Sequence, residues 1–221
     1  LDFVAVTEEE ADADEGSAVW MRGLRVGMRG EKEAVGKDAD DGFLALGALL
    51  AAASRGPPLD LVLLPGDLTV DGELASHELL AGLLARFEEG GVPACVAAGN
   101  HDLANPYAVR HGLLFSVQVD SLGPAGFARL YAPFGFAEAL SRDPASLSYA
   151  AEPAPGLALL VLDTPRWREN RPWPFPRSTE KGALSPATLA WADRVLGAAR
   201  DAGARILVAM HHPPLPEGEK G

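Results

Sequence analysis

A chain of 221 residues with 48% hydrophobic side chains is long enough to bury the core of one large domain, which excludes wholesale disorder. Its formal net charge of -12, with no concentrated basic stretch, excludes a nucleic-acid polymer or an anionic membrane as the main partner. Cys95 is the only cysteine, so disulfide frameworks and cysteine-rich zinc sites are excluded as well.

The chain begins at Leu1 rather than Met, which predicts a processed or trimmed product, soluble and either cytoplasmic or exported with its signal removed. No apolar run reaches the roughly 18 residues needed to span a bilayer. Residues 2–7 predict a short buried strand, and the acidic run Glu8 to Gly16 predicts a solvated loop. Ala18 to Val26 reads as an exposed hairpin arm, and residues 43–53 as a helix capped by Asp40 or Asp41 and ended by Gly56-Pro57-Pro58.

Asp60 to Pro65 is a second apolar run that empties into Gly66-Asp67-Leu68-Thr69. A helix is predicted from about Glu73 to Glu89, capped by Asp71, with Leu79, Leu80, Leu83, Leu84 and Phe87 on its buried face and Gly90-Gly91 as its stop. The third run, Val92 to Ala98, carries Cys95 as a buried reduced thiol and empties into Gly99-Asn100-His101-Asp102. This alternation of strand and helix predicts parallel strands covered by helices. Residues 103–144, with Tyr107, Phe115, Phe127, Tyr131, Phe134 and Phe136 among Gly and Pro, predict an insertion packed over the sheet edge or forming a pocket wall.

Residues 146–150 and 157–163 predict an antiparallel pair joined by a Pro/Gly turn, and so a second sheet. Thr164 to Lys181 predicts a packed surface excursion, although Arg166, Arg168, Arg171 and Arg177 with Trp167 and Trp173 are also suited to an anionic substrate. Ser185-Pro186 opens a helix in cap and first-turn order, with Leu189, Trp191, Ala192, Val195, Leu196 and Ala199 on its buried face. Arg205 to Met210 is the last apolar run and ends in His211-His212-Pro213-Pro214.

Each strand-end motif has a bland reading. Gly66-Asp67 and Gly99-Asn100-His101-Asp102 suit turns, and His211 suits a satisfied histidine beside a proline turn. Their joint occurrence in order offers more: a carboxylate, an amide oxygen and imidazoles at the ends of three apolar strands, suited to holding a cation and moving a proton.

On these motifs, with Leu162-Asp163-Thr164 at an intermediate strand, the sequence resembles the calcineurin-like metallophosphoesterases, and within them the bacterial cyclic-nucleotide phosphodiesterase type of branch. The resemblance implies an α/β fold, a four-layer αββα sandwich of two mixed sheets flanked by helices, in a single metallophosphoesterase domain over residues 1–221 that is truncated at its C-terminus. It implies hydrolysis of phosphate mono- or diesters at a binuclear centre of divalent transition metals, Mn, Fe, Zn or Co, with a small-molecule phosphate ester as partner. Asp67 would bridge two ions, Asn100 and His211 would bind the second, and His101, oriented by Asp102, would assist the leaving group. Their strands are expected to be parallel neighbours, with His211 turned into the site and His212 away.

Two departures accompany the likeness. The family's Asp-any-His motif has no counterpart anywhere in the sequence, with Glu8-Glu9-Glu10 standing near its expected place, and the closing Gly-His-any-His motif is absent. These leave open a catalytically impaired member of the fold that binds a nucleotide or a protein. A flavodoxin-like binding domain is a further alternative and would lack a second sheet.

Overall fold

The computed structural model describes residues 4–6, 59–111, 116–171 and 174–212. The acidic run at 8–16, the hairpin arm at 18–26 and the helix at 43–53 lie outside the described residues.

A first sheet holds β1 (Val4–Val6), β2 (Leu61–Leu64) and β3 (Ala94–Val96) in that order. All residues of β2 and β3 are buried, the signature of strands covered on both faces. Between them runs α1 (Leu74–Glu89), and β2 and β3 pair in parallel as a βαβ crossover requires. β1 pairs antiparallel to β2, with Val6 opposite Leu61 at the start of that strand, so the first sheet is mixed.

Helix α1 buries His77, Leu80, Leu83 and Leu84, while Leu79 is 46% exposed and falls off the predicted stripe. Its N-cap is Glu73 rather than Asp71 and makes no side-chain cap, its carboxylate accepting instead from the Asp71 amide at 3.3 Å. The aromatic stretch after β3 forms a hairpin of β4 (Val109–His111) and β5 (Ser116–Gln118), then α2 (Pro124–Leu130) and a π turn over Ala132–Phe136. Phe127, Tyr131, Phe134 and Phe136 are all buried and pack on one another and on Tyr149, so this insertion belongs to the core.

A second sheet follows the order β6 (Ser141–Arg142), β7 (Tyr149–Ala154), β8 (Leu157–Leu162) and β9 (Arg205–Met210). β7 and β8 form the predicted antiparallel pair, turning through Gly156 at φ 74, and β8 and β9 run parallel around helix α3 (Pro186–Asp201). Strand alternation divides this sheet's side chains between two clusters. Tyr149, Ala151, Leu159, Val161 and Ala209 join β2, β3 and α1 in the main core, whereas Ala150, Leu160 and Leu162 pack with Trp191 and Ala192 of α3. Each fully buried leucine here contributes about 1.5–3 kcal/mol. The Tyr149 hydroxyl donates to the Val96 carbonyl at 3.0 Å, tying the two sheets across that core.

Ser185 caps α3 as expected, accepting from the Thr188 amide at 3.0 Å, with Pro186 in the first turn. Thr188 then donates its hydroxyl to Asp143 at 2.7 Å, which anchors the helix start to the β6–β7 turn. Leu189, predicted on the buried face, is 52% exposed. Cys95 is buried, and that burial pushes its thiol up to about 12, so it stays protonated and unreactive. The second sheet excludes the single-sheet flavodoxin-like alternative.

Candidate metal centre

Strands β2 and β3 stop together, since the Ala97 amide still donates to the Leu64 carbonyl at 2.8 Å, and their exit loops leave side by side. The first loop turns at Gly66, φ 112, and Asp67 itself adopts φ 50, a left-handed conformation that Asp tolerates better than most residues. Gly99 packs directly on this turn: a Cβ there would overlap the Asp67 backbone nitrogen and Oδ1. A Cβ on Gly66 would in turn lie 2.8 Å from His211 Nδ1. Gly99→Ala is therefore expected to cost about 1–3 kcal/mol and to weaken cation binding. Thermal denaturation and metal titration check this, and wild-type values for both would contradict the packing described.

The structure brings Asp67, Asn100 and His211 together. His211 Nε2 lies 2.9 Å from Asn100 Oδ1 and 3.3 Å from Asp67 Oδ1, and both acceptors require a proton on that nitrogen. The Asp67 Oδ1 also accepts from the His101 amide at 3.1 Å. The sheet arrangement differs from the expected one: β9 lies in the second sheet, so His211 approaches across the core rather than from a neighbouring strand.

Ligand atoms sit about 2.0–2.2 Å from a divalent transition metal, so two at right angles are about 3 Å apart. The distances of 2.9 and 3.3 Å match that spacing, and the mixed oxygen and nitrogen set fits a divalent transition metal in place of the His211 proton. Among the described residues no group of three His, Cys, Asp or Glu side chains gathers, so the amide oxygen of Asn100 is needed to make the third donor.

His212 turns the other way. Its Nε2 donates to the Glu180 carbonyl at 3.0 Å, and Nδ1 accepts from the Thr164 hydroxyl at 2.9 Å. Burial, then the neighbouring His211, pushes its pKa down and keeps it neutral. With both nitrogens engaged, His212 fastens β9 to the loop after β8.

His101 flanks the three donors on the same loop. Its Nδ1 lies 2.6 Å from the Val70 carbonyl, a pure acceptor, so Nδ1 carries a proton and Nε2 is the nitrogen left for chemistry. Asp71 Oδ1 stands 3.5 Å from the same Nδ1. The Asp71 carboxylate raises the His101 pKa to about 9 against partial desolvation, with further help from Asp67 and the Val70 carbonyl. His101 is therefore a cation at neutral pH.

Asp102 corrects the sequence-based assignment, because it does not orient His101. Its carboxylate is fully buried and accepts from the Gly99 amide at 2.7 Å, the Thr69 amide at 3.0 Å and the Thr69 hydroxyl at 3.2 Å. The turn closed by Asp102 N on the Gly99 carbonyl curls the side chain back under its own loop, where it clamps the β2 and β3 exits together. Beneath it, buried His77 donates from Nε2 to the Asp102 carbonyl at 3.1 Å and pairs through Nδ1 with the Tyr131 hydroxyl at 2.8 Å. Burial pushes the His77 pKa down and holds it neutral.

The orienting role falls to Asp71 and the Val70 carbonyl. Sequence reasoning used Asp71 as a helix cap, and no spacing rule marked a backbone carbonyl. Two arginines of the excursion are engaged within the fold: Arg166 pairs with Glu169, and Arg168 stacks 4.1 Å from the Trp167 ring and donates to the Ala145 carbonyl. Trp173 lies outside the described residues.

The family model for calcineurin-like phosphoesterases matches residues 38–221, well over half of the chain. The chain belongs to that family. Metal-dependent phosphoester hydrolysis is the activity this phosphoesterase family suggests, and the donor set above lies within the matched residues. No curated protein matches the chain. Among the described residues no helix is long and apolar enough to cross a membrane.

Proposed function

We propose that the chain is a hydrolase of small phosphate mono- or diesters whose catalytic cation is held by Asp67, Asn100 and His211. The observation that carries this is that His211 Nε2, from the second sheet, lies within 3.3 Å of both Asp67 Oδ1 and Asn100 Oδ1, from two loops of the first. We read the fold as the four-layer sandwich α1, first sheet, second sheet, α3, which the core cluster common to both sheets supports.

Asp67 and Asn100 would provide oxygen ligands, and His211 would become a ligand through Nε2 by carrying its single ring proton on Nδ1 instead. A bound divalent ion, Mn, Fe, Zn or Co, supplies Lewis-acid stabilisation of the phosphoryl oxygens and an acidified water. His101, held at Nδ1 by the Val70 carbonyl and cationic in the metal-free chain, would offer its Nε2 proton to the departing oxygen. The family pattern is a binuclear centre with Asp67 as bridge, and the donors gathered among the described residues make up one position of it.

That same count favours a second reading, a catalytically impaired member that keeps the fold and binds a nucleotide or a protein. Elemental analysis beside an aryl phosphate assay separates the two. One tightly held transition metal per chain, with slow hydrolysis that chelation abolishes, is expected. No metal and no hydrolysis would favour the impaired member. Two metals with vigorous turnover would mean that Glu8, Glu10 or another group completes the site.

A further inference from the structure

Asn105 is 3% exposed, an unusual placement for a carboxamide in a loop, and both its ends are spoken for. Nδ2 donates to Asp71 Oδ1 at 3.3 Å and to the His101 carbonyl at 3.2 Å, while Oδ1 accepts from the Tyr107 amide at 3.0 Å. Two acceptors at one end and a donor at the other fix the orientation of the amide. Its backbone amide donates to Ser121 Oγ at 3.0 Å, and the preceding Ala104 takes φ 46, the turn from which Asn105 is directed inward.

The Asp71 oxygen that Asn105 holds is the one facing His101 Nδ1. Without that bond a carboxylate whose side chain is 29% exposed is free to swing toward water. We propose that Asn105 is a positioning residue of this site: one amide group pins the Asp71 carboxylate in front of the His101 imidazole and, through the His101 carbonyl, the backbone of the same loop. This role rests on the hydrolytic function proposed above for its consequence in catalysis, but not for its geometry.

Asn105→Asp tests it with little change of volume. The oxygen facing the Tyr107 amide is kept, and the donor facing two acceptors becomes an acceptor. In the metal-loaded protein, with an aryl phosphate as substrate, kcat is expected to fall about tenfold to a hundredfold while KM and metal content stay within about twofold. In the metal-free protein, long-range proton-nitrogen spectra at one fixed pH are expected to show the His101 ring signals shifted as the Asp71 carboxylate leaves Nδ1, while the Val70 carbonyl keeps the Nδ1 proton in place and His77 and His212 are unchanged.

Asn105→Ala should reproduce both effects. Wild-type kcat per folded molecule together with unchanged His101 signals would overturn the role, as would failure of both variants to fold, which would make Asn105 a folding residue only. If the wild-type protein hydrolyses no phosphate ester, the proposed function fails, and the imidazole spectra still decide the positioning role.

Discussion

Asp67→Asn is expected to abolish tight cation binding and, with it, phosphate-ester hydrolysis, while the fold persists. Asn tolerates the left-handed backbone at φ 50 at least as well as Asp and keeps an oxygen toward the His101 amide, so local geometry is not the casualty. What disappears is the only formal negative charge among the three gathered donors. Outer groups that merely orient a ligand typically change metal affinity by about 10–100-fold, so loss of the charged ligand itself should exceed about a hundredfold. Metal titration followed by circular dichroism and thermal melting checks both halves. A variant that melts like the wild type and still binds the metal tightly would remove Asp67 from the centre.

His101→Ala should give a different phenotype: turnover lower by about a hundredfold to ten-thousandfold, with metal content retained. The imidazole contacts the Val70 carbonyl and Asp71 rather than the three donors, so the cation site does not need it. Its protonation supplies a second signature. In the metal-free chain the His101 pKa is raised from its ordinary 6.5 to about 9 by Asp71, so its imidazole signals should titrate near pH 9. The stabilisation linked to this cation is complete below 6.5 and is lost as pH rises through about 9. Asp71→Asn should bring that midpoint down toward 6.5. Unchanged turnover in His101→Ala would take the proton-donor role away from this residue.

Much of this architecture was legible in the sequence because its signals are local. The apolar runs at 61–64 and 205–210, the Ser185-Pro186 cap and the Pro/Gly turn at 155–156 each rest on one short stretch, and each is where the pattern puts it. The failures share one cause, in that local signals do not say what lies across the chain. Asp71 has the residue type and position of a helix cap, yet His101 and Asn105, more than twenty-five residues later, claim its side chain. Asp102 follows His101 in sequence, but the turn buries it against Thr69 and Gly99. Leu79 and Leu189 match helical periodicity and still face outward, while His77, Leu80, Leu83 and Leu84 on one helix and Thr188, Trp191 and Ala192 on the other take the buried positions. The strand-end motif marks His211 as a candidate donor, whereas the sheet that carries it depends on pairing β9 with β8, a long-range choice that no motif records.

The proposed cation site is the meeting point of Asp67, Asn100 and His211. Crystals grown with manganese and measured for anomalous scattering locate the cation without recourse to activity. A single strong peak within coordination distance of Asp67 Oδ1, Asn100 Oδ1 and His211 Nε2 is the predicted result. Manganese bound elsewhere, or an unmetallated His211 still bonded to Asn100 at saturating manganese, would contradict it.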